Sequence, residues 1–126
     1  MAASLTACST SSGNRRRAAA TDPETVLVTY HVEAGKEAEF ETALSGAWVI
    51  YRREHLVFAK PHFVVRDTED GGKTRFVEVF TWKSHAIPEH APKAVKTVWQ
   101  QEQSLCGARN GHGGIEIGEV QIIADE

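Results

Sequence analysis

The stretch HFVVRDTEDGGKTRFVEVFTW, residues 62–82, decides the fold of this chain. β-branched and aromatic residues dominate both of its ends, and the pair Gly71-Gly72 between them is typical of a tight turn. The pattern predicts a strand over His62–Arg66, a hairpin turn over Asp67–Lys73 and a second strand over Thr74–Trp82. Because side chains alternate along a strand, one face of the second strand carries three aromatic rings and a carboxyl group.

A strand and a helix flank this hairpin on each side. Upstream, Thr25–Val32 alternates apolar residues and predicts a strand, and Lys36–Glu54 repeats them at helical spacing. Downstream, the loop Lys83–Pro92 leads into a second amphipathic helix, and Ile115–Ile123 predicts a last strand with a bulge near Gly118. The order strand, helix, strand, strand, helix, strand predicts a ferredoxin-like α+β sandwich with an antiparallel four-stranded sheet.

Composition limits the classes of partner. The chain has 126 residues, which suits one domain, and a formal net charge of −3. Three of its 14 basic residues are the arginines at 15–17, so the rest of the chain carries 11 basic against 17 acidic residues. Nucleic acid is therefore not an expected partner, because its binding needs a basic face. No apolar run approaches the ~18 to 20 residues of a membrane span, so no transmembrane segment is expected.

Residues 1–21 are predicted to form a disordered tail, and residues 22–126 the domain, because the tail is small, polar and dotted with arginine. Within the tail, Leu5-Thr6-Ala7-Cys8 resembles a bacterial lipobox, whose cysteine carries the lipid. If the start is truncated, Cys8 is a lipidation site and the protein a cell-envelope lipoprotein; otherwise the match is chance and the protein is cytoplasmic. A transit peptide is a third interpretation, since the tail has arginine and serine but no acid.

Two segments resemble antibiotic biosynthesis monooxygenase-type domains. VEAGKEAEFE, residues 32–41, is similar to their strand-to-helix junction, and FVEVFTWKS, residues 76–84, to their third strand. The similarity spans about residues 25–123 and implies the dimeric α+β barrel superfamily. The chain departs from the simple pattern in a longer linker over residues 54–61, which Pro61 ends before the next strand, and in a His- and Pro-rich loop over residues 85–92.

The predicted sheet also favours self-association. Two helices on one face leave the other face uncovered, and the residues assigned to that face are largely apolar. An exposed patch of that kind is sticky in water. We expect a homodimer joined through the sheet faces, which buries the patch.

The resemblance implies a function as well as a fold. Enzymes of this family hold their substrate in a cavity between the sheet and the helices of one subunit. They let an electron-rich phenol or quinol activate O₂ with no flavin, metal or other cofactor. The implied function is a cofactor-independent oxygenase acting on a small aromatic or quinol-like molecule. The alternative is a non-catalytic, dimeric small-molecule-binding or structural domain of the same superfamily.

The histidines and one acid are the candidates for catalysis. His90 and His85 suit a general base, because histidine titrates near neutral pH. Glu78, an acid on an aromatic strand face, is suited to orient a histidine. The alternative for these residues is structural: histidines exposed on a loop, and an ion pair of Glu78 with Arg66 or Arg75.

The aromatic residues Trp82, Tyr51 and Phe80 are the expected substrate-binding walls, with ordinary core packing as the alternative. Histidine also binds first-row metals, and a set of His62, His85 and His90, with Glu78, is the candidate for such a site. The spacing of His85 and His90 is not a specific metal signature, so no metal site is expected.

Overall fold

The computed structural model describes residues 19–109 and 111–124. The predictions on residues 1–18, including the lipobox with Cys8, lie outside the described residues. Seven elements follow one another along the chain: β1 Glu24–His31, α1 Glu37–Arg53, β2 Val57–Thr68, β3 Thr74–Trp82, α2 Ala86–Glu89, α3 Lys93–Ser104 and β4 Ile115–Glu119. None of the helices in this part of the chain is long and apolar enough to cross a membrane.

The four strands form one antiparallel sheet in the order β2-β3-β1-β4. Val28 pairs with Glu78 on one side and with Ile117 on the other, so these three positions share a face. The helices cover that face, which confirms the predicted ferredoxin-like α+β architecture. β3 matches its predicted bounds because its β-branched and aromatic residues are central in the sheet.

The core lies between the sheet and α1 and α3. Phe40 of α1 is fully buried, and its ring packs on Tyr30 and Phe76 with centroids 4.9 and 5.1 Å apart. Glu37 and Glu39 stand in the first turn of α1 and two arginines in its last turn, which suits the helix dipole. The core therefore fixes α1 directly over the two central strands.

The predicted bounds of β2 and of β4, and the predicted bulge near Gly118, were wrong. β2 begins at Val57, so the expected linker before His62 is strand, and Pro61 lies inside it at a register shift. A bulge tolerates proline, which has no N–H to donate to the ladder. No bulge occurs at Gly118, because the pairing of β1 with β4 is regular and β4 ends at Glu119.

The loop before α3 also holds more structure than predicted. It contains the single turn α2. The segment ahead of β1 is hydrogen-bonded to this loop. The N–H of His85 donates to the carbonyl of Asp22 (2.9 Å), and the N–H of Ala86 donates to the carbonyl of Ala20 (3.1 Å). Ala20, within the predicted tail, therefore makes a backbone contact with this loop.

Candidate functional site

A cavity of about 200 Å³ lies between the sheet and the helices. Its walls come from three strands and all three helices. Exposed Ile117 and half-buried Glu24 and Pro88 are part of the lining, which places the opening beside β4 and α2. The lining residues are Glu24, Val26, Val28, Tyr30, Tyr51, Phe80, Trp82, Pro88, Trp99, Glu102, Gln103, Ile115 and Ile117.

Aromatic rings form the inner wall of this cavity. The ring of Tyr51 lies 5.0 Å from Trp82 and 5.6 Å from Phe80, between centroids. Trp99 meets Trp82 edge to face at 6.1 Å and donates its indole N–H to the hydroxyl of Tyr51 at 2.7 Å. The structure thus brings together the three aromatic residues proposed from sequence, and Trp99 with them. Interlocked rings of this kind present a rigid apolar surface to a ligand.

Glu102 is the acidic group deep in the cavity. Its side chain is only 2% exposed, and within residues 19–109 and 111–124 its Oε2 has no hydrogen-bond partner. Burial raises the pKa of Glu102 from 4.5 to about 8, and the negative charge of Glu78 adds to that rise. The group is therefore protonated at neutral pH, when it can both donate and accept a hydrogen bond.

Glu78 lies behind the cavity wall and is not among the residues that line the cavity. It is 1% exposed and accepts two hydrogen bonds, from the hydroxyl of Tyr30 at 2.7 Å and from Nε2 of His62 at 3.0 Å. His62 in turn stacks on Trp48, with centroids 3.5 Å apart. Burial, with the charge of Glu78, raises the pKa of Tyr30. Glu78 thus reaches the cavity through Tyr30 rather than through its own carboxyl group.

The suggested ion pair of Glu78 with Arg66 or Arg75 is wrong. Arg66 pairs with Glu41 at 2.7 Å, and Arg75 with Asp67 across the hairpin. Asp67 and Arg75 are register partners on the face that points away from the helices. Glu78 faces the helices, so Arg75 is on the opposite side of the sheet.

The two loop histidines lie outside the cavity lining. His90 is exposed at the end of α2. His85 is held at its Nδ1 by the carbonyl of Asp22 (2.9 Å) and at its Nε2 by Glu119 (3.0 Å). These two bonds, the first above all, raise the pKa of His85 because both favour the imidazolium. The structure does not bring His85, His90 and Glu78 together.

One group of potential metal ligands occurs in the described part of the chain. It comprises Glu24, His85 and Glu119, whose ligand atoms lie within 4.8 Å of one another. The metal-ligand set suggested from the sequence is not assembled, because His62 is hydrogen-bonded to Glu78 whereas His85 is hydrogen-bonded to Glu119. The ion pair and the Asp22 carbonyl already account for the hydrogen bonds of His85.

A second polar cluster, the His31 network, lies at the end of the sheet where β1 meets the β2–β3 turn. The ring nitrogens of buried His31 each lie 2.8 Å from a carboxylate, Glu69 at Nδ1 and Glu116 at Nε2. Arg109 binds Glu69 and donates to the carbonyl of Val32. His112 binds the other oxygen of Glu116 at 2.8 Å. Each of the two acids therefore has two basic partners.

Glu102 is not among the candidate residues predicted from the sequence. A signal for it exists: Val95, Trp99 and Glu102 recur at i, i+4 and i+7 on α3, so the acid occupies a position in the apolar stripe. Tyr30 was treated only as a member of the β1 pattern, although it pairs with Phe76 and faces the helices. An acid or a phenol within an otherwise apolar face is the pattern that marks such residues.

Solved structures share this fold. Two crystal structures of SnoaB, a cofactor-independent oxygenase from Streptomyces nogalater, match with TM-scores of 0.59 and 0.55 at 15% and 17% identity. Each match covers 82% of this chain and 96% of SnoaB. PA3566 from Pseudomonas aeruginosa matches with a TM-score of 0.55 at 16% identity, over 85% of this chain and 100% of that protein. The resemblance to antibiotic biosynthesis monooxygenase-type domains is thereby confirmed for the fold.

No protein-family model matches the chain, and no curated protein matches it significantly.

Proposed function

We propose that this chain binds a small aromatic or quinol-like molecule in the cavity between sheet and helices and oxidises it with O₂ without a cofactor. The observation that carries the proposal is the cavity itself, about 200 Å³ enclosed by tyrosine, phenylalanine and tryptophan rings around a buried acid. That lining suits a planar apolar ring. The fold likeness to SnoaB, itself described as a cofactor-independent oxygenase, adds support for the kind of reaction.

In such a reaction the substrate supplies the electrons. Loss of a hydroxyl proton leaves an electron-rich anion that reduces O₂. One oxygen atom of O₂ is added to a ring carbon as a carbonyl group, and the substrate hydroxyl becomes a second carbonyl. The hydrogen of that ring carbon and the hydroxyl hydrogen leave with the second oxygen atom as water. The contribution of the protein is to position the ring, exclude bulk water and stabilise the developing charge.

Oxygen uptake tests this proposal. The full chain, dialysed against a chelator, is mixed with dihydroxynaphthalene, and O₂ consumption is compared with the protein-free rate. The variant Ile117→Trp places a bulky ring at the opening and lowers uptake, whereas Val49→Trp, at an exposed position of α1 outside the lining, leaves it unchanged. Uptake no faster than without protein contradicts the oxygenase function. Binding of naphthol without O₂ uptake then identifies the alternative, a non-catalytic small-molecule-binding domain.

The catalytic roles of His90, His85 and Glu78 stay predictions within this proposal. A general base contributes about a hundredfold or more to turnover. His90→Ala therefore lowers O₂ uptake by about that factor if His90 takes the substrate proton. Uptake within twofold of wild type removes His90 from the mechanism and leaves the groups that line the cavity.

The homodimer is also part of the proposal. The outer sheet face, which points away from the helices, carries a patch of facing apolar side chains: Leu27, Val79 and Phe63 in one row, Val77 and Val65 in the next. Phe63 and Val65 are 53% and 54% exposed in the single chain, and a second copy covers them. Sedimentation velocity at micromolar concentration tests this: Val65→Lys is expected to yield monomer, and Val49→Lys, an exposed apolar residue on α1, to leave the dimer. A wild-type monomer contradicts it.

A further inference from the structure

The buried acid Glu102 is unexplained by packing. It lies on the stripe of α3 that carries Val95 and Trp99, where a leucine would fill similar space. A buried carboxyl group with an oxygen lacking a partner is costly, and nearly all buried polar groups in proteins have one. Glu102 also lines the cavity. The Oε2 atom itself is closed to solvent, so a ligand in the cavity supplies the missing hydrogen bond once the Glu102 side chain rotates toward it.

The charged groups around Glu102 limit the charge that such a ligand can carry. The titratable groups whose charges couple to it are Glu78 of β3, Tyr30 of β1, Tyr51 of α1 and Cys106 after α3. None of these is a cation. An anionic ligand would face the negative charge of buried Glu78 in an apolar site, with no cation in this set to offset it, so carboxylates and phosphates are disfavoured.

The remaining lining offers few other polar contacts. The hydroxyl of Tyr30 already donates to Glu78, whereas that of Tyr51 accepts from Trp99 and keeps its own proton to donate. Most of the other lining residues are aliphatic or aromatic. A ligand here thus meets a mostly apolar surface. Its polar contacts are Glu24, Gln103, the Tyr51 hydroxyl and the buried Glu102 carboxyl group, which at neutral pH both donates and accepts.

We infer that Glu102 determines the specificity of this cavity, which takes a neutral aromatic ring whose hydroxyl or keto oxygen hydrogen-bonds the Glu102 carboxyl group. This inference deepens the proposed function, on which it rests for the location of the ligand. It names the substrate class as uncharged hydroxy- or keto-arenes of one or two rings. It excludes arenes that carry a carboxylate.

Calorimetric titration of the full chain at pH 7 tests the inference with four probes of one ring system: naphthol, naphthalene, naphthoic acid and naphthylmethylamine. Wild type is expected to bind naphthol about tenfold more tightly than naphthalene, the worth of about one good hydrogen bond. Glu102→Leu retains naphthalene binding and brings naphthol to within twofold of it. Glu102→Gln, which still donates and accepts, keeps most of the preference. Gln101→Leu, at an exposed position of the same helix, keeps all of it.

Several outcomes would overturn the inference. They are absence of naphthol binding, an unchanged naphthol preference in Glu102→Leu, or tighter binding of naphthoic acid or naphthylmethylamine than of naphthol. The oxygenase proposal fails separately. If the naphthol preference depends on Glu102 but no O₂ is consumed, the specificity stands without the reaction. If O₂ is consumed equally by wild type and Glu102→Leu, the reaction stands without this specificity.

Discussion

Two buried polar regions of this small domain differ in how completely their hydrogen bonds are made. In the His31 network, both ring nitrogens of His31 face carboxylates, and Arg109 and His112 complete the contacts of those acids. In the cavity, Glu102 is as deeply buried but keeps an oxygen without a partner among the described residues. The first region resembles a structural brace, and the second has a polar group available for a ligand.

This difference shows that deep burial alone does not determine whether a polar group stabilises the fold or is available to a ligand. A satisfied network offsets the desolvation of its charges within the fold itself. An unsatisfied acid weakens the fold unless it is neutral or meets a partner. Stability measurements should therefore respond in opposite directions when the two regions are altered.

The largest effect is expected at Glu102. Its pKa is about 8 in the folded chain against 4.5 ordinarily, so between these values the folded state binds more protons than the unfolded state. The free energy of unfolding of wild type therefore falls as pH rises from 5 to 9. Glu102→Gln cannot titrate, so its advantage over wild type grows to as much as about 5 kcal/mol at pH 9, at ~1.4 kcal/mol per pKa unit. Urea denaturation at several pH values measures this.

The matched control for that series is Glu89→Gln, an exposed acid of α2, whose unfolding curves should follow wild type at every pH. Parallel pH dependence of wild type and Glu102→Gln would show that Glu102 is ionised at neutral pH. The contrast between the two regions would then be lost.

The second effect, of opposite sign, is expected at His31. His31→Ala removes two hydrogen bonds to carboxylates and leaves Glu69 and Glu116 facing each other's charge, which costs about 3 kcal/mol of unfolding free energy. His112→Ala, at an exposed ring in the same network, costs less than about 1 kcal/mol. Denaturation at pH 6 compares the two variants with wild type. Equal losses in both would contradict a buried brace centred on His31.

The sequence predicted the secondary-structure elements and the aromatic residues of the cavity wall, but not which polar groups contact one another. Alternation and helical spacing located β3 and the apolar faces, and with them Trp82, Phe80 and Tyr51 in one cavity wall. The position of His85 depends on Asp22 and Glu119, which are 63 and 34 residues away along the chain. Local pattern carries no information on such long-range contacts. Glu102 differs from His85, because its place in the apolar stripe of α3 is a local signal, and only its lack of a hydrogen-bond partner requires the folded structure.

A smaller effect should distinguish the aromatic wall from simple packing. Tyr51→Phe removes the acceptor of the Trp99 indole N–H and should cost about 1 kcal/mol of unfolding free energy. In a double-mutant cycle with Trp99→Phe, the two losses should overlap by about that amount, because they remove the same hydrogen bond. Strictly additive losses would mean that the Tyr51 hydroxyl does not hold Trp99 in the cavity wall.

The smallest effect concerns His85, which represents a third situation: a polar group near the surface whose partners are all in place. Hydrogen bonds to the Asp22 carbonyl and then to Glu119 raise its pKa above 6.5, and proton NMR titration of the ring should show this directly. Glu119→Gln is expected to lower that pKa only in part, because the contact with the Asp22 carbonyl is the larger cause and remains. Glu89→Gln serves as the control for a lost charge elsewhere on this surface, with no change in the His85 titration. A pKa of His85 at or below 6.5 in wild type would show that its ring is not held between these two partners, and the Glu24, His85 and Glu119 group would then be free to bind other ligands.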